Sequence, residues 1–449
     1  MANERTIDDI LKACERFRIV SIGGSGAGKS SLVNSVFGVS DAKVSHFAPG
    51  EADIYHEFTS ESNPRFVLHD SKGFEPAKME TFHTVRQFIL DKSNEDLELK
   101  DRLHAVWLCI RTPTDGGRVL EVGDEEFLRL AHERQIPVII VFTQYDRLVR
   151  KFRDNREYQA QRDFERCIES LEKAAIRLKI AMPKYKHVSV RKTYDGNIVP
   201  LVEMTKEIVQ ERLKGDAWII WAVAQRASVP LKVEACIEKG MTYYWRSLSG
   251  GSVPGLGKTL LHECLMKVHQ DIIACWNLRD GEMVLNGVEF KHLMLYVVQD
   301  MQDKTGIKSS SVDVVKIHNF VMLCTTATAT IAPPVAILGL TYIFIKWISD
   351  AVLDNTPKVR RLFFAYVADL ILVLEELFKM ALRPQAAGSV NWETLQEAFD
   401  AYHRTTEQSN VHVAVNDLVE RHGQLNTDLS GMRSSLDVLL RKHRVFNPM

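Results

Sequence analysis

Cysteine pairs are missing from this chain. Its seven cysteines, Cys14, Cys109, Cys167, Cys236, Cys264, Cys275 and Cys324, stand singly among 449 residues, none at C-x-x-C spacing. That spacing suggests neither a zinc ribbon nor a disulfide framework, and a reducing, cytoplasmic setting is expected. Net charge is almost absent too: 57 Lys and Arg against 58 Asp and Glu leave a formal −1. A protein whose task is to coat nucleic acid carries a basic excess, so nucleic acid is not expected as a partner. The first twenty residues are charged early and hold no continuous apolar segment of the signal-peptide kind. Low-complexity tracts and internal repeats are lacking, and one long uncharged run, Asn319–Ile345, stands alone. What remains is the composition of a folded protein, 45% hydrophobic and 26% charged, long enough for two or three domains.

Up to about residue 215 the chain alternates short β-branched runs with longer amphipathic stretches, the pattern of βα units on a mostly parallel sheet. Strands are expected at Phe17–Ile22, Ile54–Phe58, Arg65–His69, Ala105–Ile110, Val138–Phe142 and His187–Val190. Helices are expected at Lys29–Phe37, Lys78–Asp91, Asp124–Arg134, Glu157–Leu178 and Leu201–Leu213. After Lys214 strand alternation stops and apolar residues recur at helical spacing. The expected architecture is therefore a three-layer α/β domain over 1–215 and an α-helical domain over 216–449.

The strand Phe17–Ile22 runs into Gly23-Gly24-Ser25-Gly26-Ala27-Gly28-Lys29-Ser30, a full G-x-x-x-x-G-K-[ST] phosphate loop. Glycines let successive backbone N–H groups turn toward a phosphate, and the following helix adds the positive end of its dipole. Lys29 is placed to reach the β- and γ-phosphates, Ser30 to ligate Mg²⁺, and Ser31 to touch the α-phosphate. Downstream, Phe66-Val67-Leu68-His69-Asp70-Ser71-Lys72-Gly73 is an apolar strand ending in D-x-x-G. Its Asp70 suits a water-mediated Mg²⁺ contact and its Gly73 N–H the γ-phosphate. Val138–Phe142 leads into Thr143-Gln144-Tyr145-Asp146, where a carboxylate at a strand end can accept both N1–H and the exocyclic amine of guanine. Ser189, at the last strand, is placed for the guanine O6. A second stretch, Gly255-Leu256-Gly257-Lys258-Thr259, echoes the loop, but Ser252 stands where the first glycine belongs and no buried strand precedes it. It reads as a turn between helices.

In this order, these elements resemble the Ras-like P-loop GTPase superfamily over residues 15–215. Within it, the run His69-Asp70-Ser71-Lys72-Gly73-Phe74-Glu75 and the Trp276-Asn277 region look most similar to fungal GTPase-domain proteins related to the septin-like and immunity-associated branches. The resemblance implies GTP or GDP as ligand, Mg²⁺ as cofactor, and hydrolysis assisted by Lys29 and the backbone of Gly73. It implies a protein effector of unstated identity and, in branches with an apolar residue after D-x-x-G, dimerisation across the nucleotide face. Three departures stand out. Thr143 and Gln144 replace the first two residues of the usual N-K-x-D. Phe74 stands where a water-orienting glutamine is common. The first switch, 40–52, offers no threonine to Mg²⁺, leaving Ser45 as the substitute ligand or as an ordinary loop residue.

In the helical half, Val411, Val415, Leu418, His422, Leu425, Leu429, Met432, Leu436 and Leu439 repeat at alternating steps of four and three. That spacing predicts one heptad helix over 411–439. Residues 320–345 carry no charge but hold Pro333-Pro334 at their centre. As one helix they would span about 39 Å, more than the roughly 30 Å hydrocarbon layer, and two prolines oppose a straight helix. A buried apolar hairpin and a membrane attachment are the two readings. For function, a slow GTPase switch and a non-catalytic nucleotide-holding scaffold both fit.

Overall fold

The computed structural model describes residues 5–39, 54–70, 79–114, 119–191, 198–213, 215–250, 256–298, 356–383, 389–403, 406–421 and 429–443. The chain divides into two compact units, 9–231 and 1–8 with 232–448.

The first unit is a six-stranded sheet in the order β2-β3-β1-β4-β5-β6. Its strands are β1 Phe17–Ile22, β2 Phe58–Ser60, β3 Asn63–Asp70, β4 Ala105–Arg111, β5 Val138–Thr143 and β6 Lys184–His187. All neighbours pair in parallel except β2 with β3. Helices α1 Ile7–Ala13, α2 Lys29–Phe37, α3 Met79–Lys92, α4 Val122–Glu133, α5 Tyr145–Lys151, α6 Arg156–Leu178, α7 Val199–Leu213 and α8 Ala217–Ala224 accompany it. Strand alternation sorts the core into two faces. Val20, Ile22, Val106, Leu108, Ile140 and Phe142 pack with residues of α3 to α6, such as Phe88, Phe127, Leu148 and Phe164. On the other face Phe37 stacks on Phe66 at 4.2 Å, and Trp221 meets Phe17 at 4.8 Å and Trp107 at 6.2 Å. Both faces are covered, which gives the three-layer α/β architecture.

Three local expectations need correction. The second strand starts at Phe58, because residues 54–57 form a turn in which Glu57 pairs with Arg18 on β1. The last strand is Lys184–His187 rather than His187–Val190. As the edge of the sheet it is only half-buried, so its Lys-Tyr-Lys-His sequence carries no apolar signature. The unit boundary lies after residue 231, beyond the one near 215 that composition suggests. The cause is α8, all eight residues of which are buried. Asn63 ties it down by donating to Phe37 O at 2.8 Å and Ala224 O at 2.9 Å.

In the second unit the described elements are helical. They are α9 Val229–Gly250, which crosses the boundary, α10 Leu256–Trp276, α11 Val288–Val298, α12 Thr356–Ala381, α13 Trp392–His403, α14 Glu407–Arg421 and α15 Leu429–His443. Helix α12 is central, with residues 361–375 buried. Its fully buried Asp369 accepts from Tyr402 Oη at 2.6 Å and from His412 Nε2 at 2.9 Å, so one carboxylate joins α12, α13 and α14. The expected single heptad helix is instead two. His443 at the end of α15 lies 3.1 Å from Glu407 at the start of α14, so the pair doubles back as an antiparallel hairpin. Val411, Val415, Leu418, Met432, Leu436 and Leu439 are all buried. Leu256–Thr259 of the echo motif form the first turn of α10 rather than a turn between helices. The apolar stretch 320–345 lies outside the described residues. Among the described residues no helix is long and apolar enough to cross a membrane.

Buried histidines make the first unit acid-sensitive. His104 accepts from Arg18 N through Nδ1 at 2.8 Å and bonds Leu99 O through Nε2 at 2.8 Å, leaving no place for a second ring proton. Burial pushes His104 and His69 down to about 4, while it pushes the Asp124 carboxyl up to about 6. Below the unfolded histidine value of about 6.5, protons bind the unfolded chain preferentially, and each histidine withdraws up to about 1.4 kcal/mol per pH unit until its folded pKa is reached. Asp124 works the other way, stabilising the fold as it protonates below about 6. Two histidines outweigh one carboxyl. Denaturant titration should therefore find this unit about 2 kcal/mol less stable at pH 5 than at pH 7, and an unchanged midpoint would contradict the assignment.

Candidate nucleotide site

The loop Gly23–Ser30 joins β1 to α2 at the carboxyl edge of the sheet, where β1 has β3 on one side and β4 on the other. Ligands of doubly wound sheets sit at this kind of switch point. Its glycines are required by geometry. Gly23 has φ +146° and a Cβ there would lie 2.2 Å from Cys109 O, while Gly26 and Gly28 take φ +70° and +84°. Lys29 folds back over the loop, its Nζ donating to Gly23 O at 2.8 Å and Gly24 O at 3.2 Å. Ser30 and Ser31 stand in the first turn of α2. Ser25 is exposed at the loop apex and Ala27 is buried.

The outer rim of the loop is held from β4 and β5. Thr143 Oγ1 donates to Ala27 O at 2.5 Å. Gln144, at φ +57° as the N-cap of α5, donates to Gly26 O at 2.7 Å and accepts from Arg147 at 3.0 Å. Arg111, the last residue of β4, donates to the same Gly26 O at 3.2 Å.

A cavity of about 380 Å³ opens beside the loop, lined by Gly28, Ser31, Leu32, Thr143, Gln144, Asp146, Arg147, Arg150, Val188, Val190 and Arg191. Asp146 is 4% exposed. Its Oδ1 accepts from Ser189 Oγ at 3.0 Å, and its Oδ2 meets Arg150 at 2.8 Å and Arg191 at 3.1 Å. Ser189 lies just past β6. Backbone bonds from Val188 N to Phe142 O (2.8 Å) and from Tyr145 N to Val188 O (3.1 Å) bring it beside Asp146. A buried carboxylate lining a cavity that Gly28 of the phosphate loop also lines fits a base that offers two adjacent N–H donors, as guanine does.

Asp70 ends β3 in register with Ser21 of β1, close in the fold to the loop that follows β1. Ser30 and Asp70 offer hydroxyl and carboxylate oxygens, the hard donors that Mg²⁺ takes, with phosphate and water completing the shell. The chemistry of the donor set thus fits the ion. Ser45, Gly73 and Phe74 lie outside the described residues. Sequence reasoning passed over Arg111, Arg147, Arg150 and Arg191. Arg150 was detectable as the i+4 partner of Asp146 on a helix, and Arg111 from its place at a strand's carboxyl end. The contacts of Arg111 with Gly26 O and of Arg191 with Asp146 are tertiary.

The fold and the loop Gly23–Ser30 together define a P-loop nucleotide-binding type of domain. Residues 18–144 match the family described as 50S ribosome-binding GTPase, and residues 284–445 match a domain of unknown function, DUF8505. The chain is similar to GTPase Der of Ureaplasma urealyticum serovar 10, with 26% identity over 151 residues, 34% of this chain and 32% of Der. It is also similar to the probable GTP-binding protein EngB of Flavobacterium johnsoniae, with 26% identity over 127 residues, 28% of this chain and 57% of EngB. A crystal structure of a probable GTP-binding protein engB matches at 19% identity and TM-score 0.29, covering 43% of this chain and 100% of that one. The chain thus spans about a third of Der and somewhat over half of EngB. Over residues 18–144 its first unit is thus similar in sequence to these GTP-binding proteins.

Proposed function

We propose that the protein binds GTP and GDP with Mg²⁺, hydrolyses GTP slowly, and acts as a nucleotide-dependent switch whose helical half engages a protein effector in the cytoplasm. The observation that carries this reading is the cavity lined both by Gly28 of the phosphate loop and by buried Asp146. Lys29 meets the β- and γ-phosphates. Thr143 and Gln144 brace the loop, and Asp146 with Ser189 reads the base. Ser30 and Asp70, with Ser45 from the first switch, hold Mg²⁺, which neutralises phosphate charge when bound. Gly73 N–H donates to the γ-phosphate. With Phe74 after D-x-x-G in place of a glutamine, water orientation falls to a partner or to a second copy of the chain docked across the nucleotide face. The narrower septin-like and immunity-associated affinity rests on His69–Glu75 and Trp276-Asn277. Residues 320–345 serve as a buried apolar hairpin in preference to a membrane attachment, and the G domain ends before the helical domain begins, near residues 215–231.

Missing switch threonine and water-orienting glutamine favour a second reading, a non-catalytic scaffold that holds guanine nucleotide structurally. Single-turnover hydrolysis followed by chromatography separates the two. A switch of this kind cleaves bound GTP at about 10⁻⁴ per second when dilute, the scale of an unassisted small GTPase, and faster as protein concentration rises. Retention of intact GTP at every concentration would favour the scaffold, and rapid cleavage by dilute monomer would overturn the inference from Phe74.

A further inference from the structure

Two side chains from different strand ends converge on a single carbonyl of the phosphate loop. Gly26 O accepts from Gln144 Nε2 at 2.7 Å and from Arg111 at 3.2 Å. The guanidinium is seated so close to the loop apex that a Cβ on Gly26 would lie 3.0 Å from it. The next carbonyl, Ala27 O, is held by Thr143. In a trans peptide the C=O and the following N–H point in opposite directions. Grasping Ala27 O from outside the loop therefore turns Gly28 N–H inward, and Ala27 N–H closes the turn onto Gly24 O at 3.2 Å. Of the three residues that grip the rim, Thr143 and Gln144 are neutral. Arg111 alone brings a charge, and its side chain is exposed rather than committed to the core.

We propose that Arg111 is a positioning residue for the nucleotide: together with Gln144 it fixes the Gly26 peptide and places behind the phosphate loop the positive charge that the amide of Gln144 lacks. This rests on the reading of the site as a guanine-nucleotide site and adds a residue to it. The ligand it favours is the polyanionic end of the nucleotide, which carries three to four negative charges. A cation about 10 Å away across partly hydrated protein shifts affinity for such a ligand by about tenfold. Because the Debye length is about 10 Å at 0.1 M salt and shorter above it, that contribution fades as salt rises. A clasp that works only through shape would not fade.

Equilibrium binding of fluorescent GDP to the full chain with Mg²⁺, at 50 and 500 mM NaCl, tests this in wild type, Arg111→Gln, Arg111→Lys and Arg111→Gln combined with Gln144→Lys. Thermal melts check that each variant folds. Arg111→Gln is expected to weaken binding about tenfold at 50 mM and less than about threefold at 500 mM. Arg111→Lys should stay within about threefold of wild type. The double variant should recover most of the loss, since its lysine carries an ammonium to the same carbonyl; Arg111→Met, which keeps the stem without the charge, is read in its place if Arg111→Gln proves unstable. Unchanged affinity in Arg111→Gln, a loss equal at both salt levels, or no recovery in the double variant would each overturn the proposal while wild-type binding upholds the site. Absence of binding by wild type itself would overturn the site reading and this proposal with it.

Discussion

Lys29→Ala lowers affinity for GTP and GDP by about 100-fold or more. Hydrogen bonds to charged groups contribute about 1.5–3 kcal/mol each, and an ammonium serving two phosphates makes at least two of them. The loss is not a folding effect. Among the described residues Lys29 Nζ donates to the loop carbonyls Gly23 O and Gly24 O, and the side chain is half-buried, so those carbonyls can turn to water when it is removed. Its backbone place at the start of α2 suits alanine. Melting temperature should therefore shift by only a few degrees while nucleotide binding, read by fluorescence titration, disappears from the micromolar range. Retained affinity would place the phosphates elsewhere.

Asp146→Asn changes which base the protein selects. On the proposed reading the carboxylate accepts from two guanine N–H groups, and asparagine presents a donor in place of one acceptor. GTP binding should weaken by about 100-fold or more, and xanthosine triphosphate, with a carbonyl in place of the exocyclic amine, should gain. The substitution also strips Arg150 and Arg191 of their shared anion. Their side chains are 47% and 58% exposed, so both guanidiniums return to water when the anion is removed. Ser189 keeps an oxygen to donate to. Competition between GTP and xanthosine triphosphate for wild type and variant reads the switch directly. An unchanged preference would remove Asp146 from the base site.

The phosphate loop was legible because its chemistry constrains spacing as well as residue type. Gly23 cannot be replaced without meeting Cys109 O, and Lys29 and Ser30 must open the helix that follows. The central strands β1, β4 and β5 were legible because they are buried on both faces and read as apolar runs. What escaped depended on partners far away in sequence. Strand β6 lies at an edge, so its composition is half polar. Helix α8 is apolar all round, and nothing within Ala217–Ala224 says which unit it covers until Trp221 is seen against Phe17 and Trp107. The heptad spacing of 411–439 does not separate one long helix from the two helices Glu407–Arg421 and Leu429–His443, since either arm of a hairpin shows the same periodicity. Arg111 and Gly26 are 85 residues apart, and only the sheet order brings β4 beside β1.

The central claim is that the cavity between Gly23–Ser30 and Asp146 holds a guanine nucleotide. The most direct measurement is displacement of fluorescent GDP from the full chain, in Mg²⁺, by unlabelled GTP, GDP and ATP. The account predicts displacement by GTP and GDP at similar micromolar concentrations, with ATP requiring about 100-fold more, because adenine lacks the N1–H that Asp146 accepts. Equal displacement by ATP and GTP would contradict it.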